Sequence, residues 1–137
     1  MDKLFVDTDI SLDLLMERRP FYSYAAQLFT LADKQKIKLY TSAICFNNLD
    51  YILSKHFSRI ESRQILSKFK ILVNVLAVDE KIINLALSSK FTDFEDAIQY
   101  YTALENNLSV LVTRNLQDYK HAAIPIVTAE VYLRKQK

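Results

Sequence analysis

Three aspartates, Asp7, Asp96 and Asp118, lie far apart in a chain of 137 residues, yet each falls at or beyond the end of an apolar run or in the first turn of an amphipathic helix. Asp7 sits in LFVDTDI, Asp96 in DFEDAIQYYTALENN and Asp118 in VLVTRNLQDYK, while Asn48 adds a carboxamide in SAICFNNLDYIL. In an open parallel sheet such points meet at the carboxyl ends of the strands, where the pocket forms. Carboxylates gathered there repel one another and resist ionisation unless a cation neutralises them. These residues predict a site for a hard divalent metal, Mg²⁺ or Mn²⁺, that polarises a phosphate and acidifies a bound water for phosphodiester hydrolysis. Zinc is not expected, because His56 and His121 are not spaced as its ligands and each reads as a surface histidine.

Two rival chemistries fit the same architecture. The segment DTDIS resembles the nucleophile loop of haloacid-dehalogenase-like phosphatases, which would make Asp7 a phosphate acceptor; against it, Glu95 and Asp96 lie inside a helical pattern and not at a strand end. The other rival is a receiver-like or scaffolding domain whose acids only cap helices. Taken singly, the remaining acids have structural readings. Asp9 is expected to cap a helix, as are Asp79 and Asp93, although Asp93 also shares a helix face with Asp96. Asp9, Asp13 and Glu17 recur every fourth residue, so Asp13 and Glu17 are expected on a solvated face. Glu95 is turned about 100° from Asp96 on its helix and should point to solvent. Asp50, two residues from Asn48, should face away from it.

The elements that must position these side chains alternate between strand and helix. Strands are predicted over Lys3–Asp7, Ile37–Thr41, Val73–Val78, Ser109–Thr113 and Ile124–Val127. Helices are predicted from Ile10 to Met16, from Phe21 to Lys34, from a Ser42 cap to His56, from Arg59 to Lys70, after Asp79, from Asp93 to the pair Asn106–Asn107, and at the basic C-terminal tail. That order predicts an α/β fold with a parallel sheet covered on both faces.

Length and composition narrow the function. The 137 residues suit one domain over 1–137, half of them apolar. A net charge of +2 gives only faint support for a polyanionic partner. One cysteine, Cys45, rules out an internal disulfide, fits a reducing compartment and reads as a small buried thiol. The chain contains no glycine, which excludes a P-loop and a dinucleotide fingerprint as ordinarily built. With no secretory signal and no apolar run long enough to span a bilayer, a soluble cytoplasmic protein without membrane attachment is expected.

In order and spacing the three motifs resemble the PIN domain family, metal-dependent ribonucleases that include the VapC-type toxins of toxin–antitoxin pairs. LFVDTDI is similar to the family's opening strand with its first metal-binding Asp at Asp7; FEDAIQ is similar to its central motif, with Asp96; VLVTRNLQDYK is similar to its last, where Thr113, Asn115 and Asp118 edge the pocket. One position departs: Asn48 stands where the family usually has Glu, which removes a negative charge from the site and should weaken its hold on a cation. The resemblance implies a three-layer α/β/α sandwich, a Mg²⁺- or Mn²⁺-dependent endoribonuclease, a homodimer and a cognate antitoxin. It also implies roles: Asp7, Asp96 and Asp118 for metal, Asn48 and Asn115 for orienting ligands, Thr113 for a water or phosphate, and Arg114, Lys120 and His121 beside the RNA backbone. The alternative it leaves open is a catalytically weakened PIN-like domain that binds RNA or a protein partner.

Overall fold

Leu4, Phe5 and Val6 are each fully buried although side chains on a strand alternate between faces, so the first strand must be covered on both sides. The computed structural model, which describes residues 1–136, shows how. Five parallel strands, β1 (Lys3–Val6), β2 (Lys38–Ser42), β3 (Asn74–Leu76), β4 (Val110–Val112) and β5 (Ile126–Val127), form one sheet in the order β3-β2-β1-β4-β5. Among the described residues seven α-helices accompany them: α1 (Thr8–Leu15), α2 (Tyr22–Asp33), α3 (Ala43–His56), α4 (Arg59–Phe69), α5 (Glu80–Leu87), α6 (Phe94–Glu105) and α7 (Ala129–Lys135). The α/β sandwich with a central parallel sheet is as the sequence predicts; Lys137, the last residue of the basic tail, lies outside the described residues.

The two faces of β1 lead into two cores. Leu4 and Val6 pack with Leu39 and Val112 against Leu28 and Phe29 of α2, Leu49 and Leu53 of α3, and Leu66 and Phe69 of α4. Phe5 and Leu111 look the other way, towards Tyr100 and Ala103 of α6, and α5 adds Ile82 and Ala86 outside α6. Register follows from the shared pleat: Phe5 stands between Tyr40 and Leu111, and Val6 beside Val112. Among the described residues no helix is long and apolar enough to cross a membrane.

Helix starts are set by local chemistry. The side chains of Ser42, Asp79 and Asp93 accept hydrogen bonds from the backbone N–H of Cys45, Ile82 and Asp96, as N-caps do. One expected cap is displaced: Asp7, not Asp9, caps α1, because β1 ends at Val6 and the chain turns into helix at once, leaving Asp9 inside the first turn. Without glycine, the left-handed backbone positions fall to Glu17 (φ 49°), Gln35 (φ 60°) and Asn107 (φ 56°). Asn107 follows α6 as the asparagine pair predicts.

β1 is central: one crossover leads from it to β2 on one side, and β4 returns to its other side. Where strand order reverses in this way, loops diverge and leave a crevice at the strands' carboxyl ends. Asp7 and the segment after Val112 both open onto that crevice.

Candidate active site at the carboxyl ends of β1 and β4

The Asp7 backbone N–H donates to the carbonyl of Val112 at 3.0 Å, which fixes the end of β1 against the end of β4. From there the side chain turns inward and is 5% exposed. Its Oδ1 accepts from the Thr8 N–H at 2.8 Å. Its Oδ2 accepts from the hydroxyls of Thr113, at 3.0 Å, and Tyr119, at 2.9 Å. Burial lifts this carboxyl from the ordinary 3.8 to about 6, with the Asp9 charge adding to the rise and the three donated hydrogen bonds opposing it.

Asp96 approaches from the first turn of α6. Its Oδ1 lies 3.3 Å from the same Tyr119 hydroxyl, so one phenol joins the first and second carboxylates. Burial raises Asp96 to about 7, and the charges of Asp7, Asp93 and Asp118 push in the same direction. Asp118 comes from a 3₁₀ turn, Leu116–Tyr119, and lines the cleft with Asp7, Asp9, Asp93, Glu95 and Asp96. The cleft encloses about 500 Å³, and Thr8, Asn48, Tyr51, Arg114 and Asn115 complete much of its wall.

Tyr119 was not legible as a functional residue, since an aromatic after a polar turn reads as core, and it is in fact 2% exposed. Its burial, and after it the Asp7 and Asp96 charges, drive its phenol far above its ordinary proton affinity, so it stays a donor at every working pH. Tyr119→Phe is expected to keep the ring packing and to cost about 1.5 kcal/mol of stability through the buried hydrogen bond lost, measured by urea unfolding. A change below about 0.5 kcal/mol would show that the hydroxyl contributes nothing to holding the two acids.

Three expectations are corrected. Asp13 does not lie on a solvated face: it is 1% exposed, with its Oδ1 accepting from Arg18 Nε at 3.0 Å and from Arg114 at 3.0 Å, and its Oδ2 accepting from Arg114 Nε at 2.8 Å. A helix face reads as solvated only if nothing covers it, and here arginines close over it, one of them 101 residues downstream. Glu95 does not point to solvent: its Oε1 accepts from the Asn48 amide at 2.7 Å across the cleft, because α3 comes near enough to offer a donor. Asp9 is no cap but a receiver, its Oδ2 accepting the Arg114 backbone N–H at 2.9 Å. Burial raises the Asp9 carboxyl and Arg114 counters that rise, while its other oxygen, buried, has no hydrogen-bond partner.

Each of the other expected site residues has a definite place. Thr113 is buried between Asp7 and the N–H of Asn115, which donates to its hydroxyl at 3.1 Å. Asn115 and Asp118 are exposed at the rim. The Arg114 guanidinium is committed to Asp13 and lies 3.9 Å from the Phe21 ring centroid, so it braces the loop after β4. Lys120 and His121 are exposed. Cys45 is buried, its thiol pushed up by that burial, and accepts from the Thr8 hydroxyl at 3.3 Å.

Among the described residues no three His, Cys, Asp or Glu side chains already stand as a group able to hold a metal ion. The donor chemistry nevertheless suits a hard cation: the cleft offers carboxylate oxygens and no imidazole or thiolate, and Asp7 and Asp96 bind protons more tightly than free carboxylates because they are buried and stand close to other acids. A cation entering there would remove the repulsion that raises them.

Comparison with known proteins agrees with this fold. The chain is 29% identical over 142 residues to a protein of Aquifex aeolicus (strain VF5) named Ribonuclease VapC1, covering 98% of this chain and 95% of that one. Its fold is similar to that in the crystal structure of DNA-bound VapBC from Salmonella typhimurium, with a TM-score of 0.71, 22% identity, and coverage of 94% and 99% of the two chains. A toxin–antitoxin complex from Klebsiella pneumoniae gives a TM-score of 0.68 at 25% identity, with 92% and 97% covered. The family model described as PIN domain matches residues 3–117, a span that takes in β1, the Asp96 helix and β4 with Thr113 to Asn115 and ends just before Asp118, and the chain belongs to the PIN domain family.

Proposed function

We propose that this chain is a metal-dependent endoribonuclease, the toxin of a toxin–antitoxin pair, acting as one domain over residues 1–137 in the cytoplasm. The observation that carries the reading is the meeting of Asp7 and Asp96 at the Tyr119 hydroxyl, with Asp118 close enough to raise Asp96. The relative named as a ribonuclease supports it. Asp7, Asp96 and Asp118 would hold the cation, Mg²⁺ or Mn²⁺, and the cation would supply Lewis acidity and an acidified water. The protein's own part is to fix the acids. Thr8, Thr113 and Tyr119 lock the Asp7 carboxylate, and Asn48 orients Glu95. Asn115 stands at the rim, where an incoming phosphate would pass.

Asn48 favours a second reading, a PIN domain that binds RNA or a protein without turning it over, because a carboxamide replaces the family's usual Glu. Glu95 argues against it. The carboxylate lost from α3 is replaced by one on α6 that Asn48 itself holds, so the cleft keeps its charge. Glu95→Gln is accordingly expected to weaken Mn²⁺ binding about tenfold, read by calorimetry on metal-stripped protein. Unchanged affinity would remove Glu95 from the site.

The deciding assay is cleavage of mixed RNA by metal-stripped protein with Mn²⁺ or Mg²⁺ restored. Cleavage that needs the cation supports the nuclease; a folded protein that binds RNA but never cuts it supports the second reading. The toxin reading also requires a cognate antitoxin, and a homodimer is expected. Co-purification with the product of a neighbouring short reading frame and the mass of the free protein in solution test these two points.

A further inference from the structure

The acidic cleft has a basic neighbour. Asn48, Tyr51 and Ile52 of α3 form one wall of the cleft, and Tyr51 also lines a second hollow of about 450 Å³ with Asp50, Ser54, Lys55, Arg59 and Arg63. The two hollows therefore share a side chain. Along α3, Asn48, Tyr51 and Lys55 follow at helical spacing on one face, a path of about 10 Å at 1.5 Å per residue. Arg59 and Arg63 continue it from the first turns of α4, again one above the other.

We propose that this surface is a track for single-stranded RNA leading out of the cleft, with Tyr51 as a stacking platform and Lys55, Arg59 and Arg63 as phosphate contacts. The proposal rests on the nuclease reading and adds to it where the strand runs. Tyr51 is 61% exposed, an unusual place for a large ring. Lys55 lies 4.2 Å from the centroid of that ring and donates to its hydroxyl at 2.6 Å, which holds the ring in orientation while most of its surface remains open to a base. Among the described residues none of the three cations has a carboxylate partner. Asp50, the one acid in the hollow, is half-buried and has its Oδ1 taken by Ser54 at 3.2 Å and Ser62 at 2.7 Å, bonds that tie α3 to α4.

Arg59 has no visible service to the fold. It is the first residue of α4, where the positive end of the helix disfavours a cation. An incoming phosphate would relieve that repulsion. The cleft itself is lined with acids and repels phosphate, so a chain of net charge +2 needs a local cationic guide to bring RNA there. Stacking needs a base free of its pair, and contacts of this kind follow the backbone without reading sequence.

The test uses a dozen-nucleotide oligouridine labelled with fluorescein, bound in EDTA so that nothing is cut. A variant carrying Lys55→Gln, Arg59→Gln and Arg63→Gln is compared with a control of equal charge change, Lys34→Gln, Lys36→Gln and Lys38→Gln, placed between α2 and the first residue of β2 at the opposite end of the sheet. The track variant is expected to melt like the wild type, to bind at least tenfold more weakly, and to lower the slope of log K against log salt by about 2, at roughly 0.7 per phosphate contact. Tyr51→Ala should lower affinity about tenfold with its salt slope unchanged. Equal losses in track and control variants, or no loss in the track variant, overturn the proposal. So does a track variant that binds RNA normally but no longer holds its antitoxin, which would give the surface to the protein partner. Cleavage of the same oligonucleotide by the wild type with Mn²⁺ reports on the nuclease reading separately: cutting with an unaffected track variant sinks only the track, and binding through the track without cutting sinks only the nuclease.

Discussion

Asp7→Asn is expected to abolish RNA cleavage and, at the same time, to make the metal-free protein more stable near neutral pH. The two effects have one cause. Asp7 is nearly fully buried and its carboxyl is lifted to about 6, against 3.8 for an ordinary aspartate, so the folded protein binds this proton more tightly than the unfolded chain. A group raised in this way stabilises the fold most below the unfolded value and loses that contribution as pH climbs from about 4 through about 6. The loss amounts to about 3 kcal/mol by pH 8, at 1.36 kcal/mol per unit. Asparagine mimics the neutral acid, caps α1 nearly as well, and carries no charge to bury. In EDTA at pH 8 the variant should gain about 2 kcal/mol over the wild type by urea unfolding, a gain that vanishes near pH 4. Cleavage with Mn²⁺ should fall at least a thousandfold, equivalent to about 4 kcal/mol of barrier. Mn²⁺ should raise the melting temperature of the wild type more at pH 8 than at pH 5, since it must displace protons, and should leave the variant unmoved. Retained cleavage, or a variant less stable than wild type at pH 8, would remove Asp7 from the centre of the site.

The second large effect lies one turn deeper. Asp13→Asn leaves two guanidinium groups without the carboxylate that both share, and breaking a buried pair costs much more than the pair contributes. Because the Arg114 and Arg18 side chains are 29% and 36% exposed, part of that cost is met by solvent, which puts the loss at about 3 kcal/mol, the low end for such pairs. For a domain of this size the melting temperature should fall by about 10 °C. The consequence should reach the cleft, because Arg114 also donates its backbone N–H to Asp9 and follows Thr113, which holds Asp7. Combining Asp13→Asn with Arg114→Met should cost less than the sum of the two changes, the mark of a direct pair. A loss under about 0.5 kcal/mol for Asp13→Asn would place the residue on the solvated face its spacing predicts.

What could be read from the residues was whatever local physics decides. Apolar runs bounded by Ser42, Asp79 and Asp93 gave strands and capped helices in order, because a cap needs only an N–H three residues on. Asp7, Asp96 and Asp118 could be named as acids of the cleft because they sit where β1 ends, where α6 begins and where the chain turns after β4. Reading failed where the partner lay far along the chain. Asp13 takes Arg114 from 101 residues away, Asn48 takes Glu95 from 47, and Tyr119 reaches Asp7 from 112. A period of four predicts a shared helix face, yet it is silent on what covers that face. The asymmetry at Asp7 and Asp9 is subtler: with one residue between them and no glycine to pace the turn, spacing alone could not say which ended the strand and which began the helix. One clue was available for Asp13, the presence of Arg18 just past the helix, where a solvated acid would have no call on it.

The placement of β1 in the middle of the sheet governs when the acidic centre can exist. Asp7 emerges first from the ribosome, but the Val112 carbonyl that pins it and the Thr113 and Tyr119 hydroxyls that lock it arrive more than a hundred residues later. A partly synthesised chain thus has no assembled acidic centre, and whatever chemistry that centre performs must wait until the segment after β4 has been made and folded against β1.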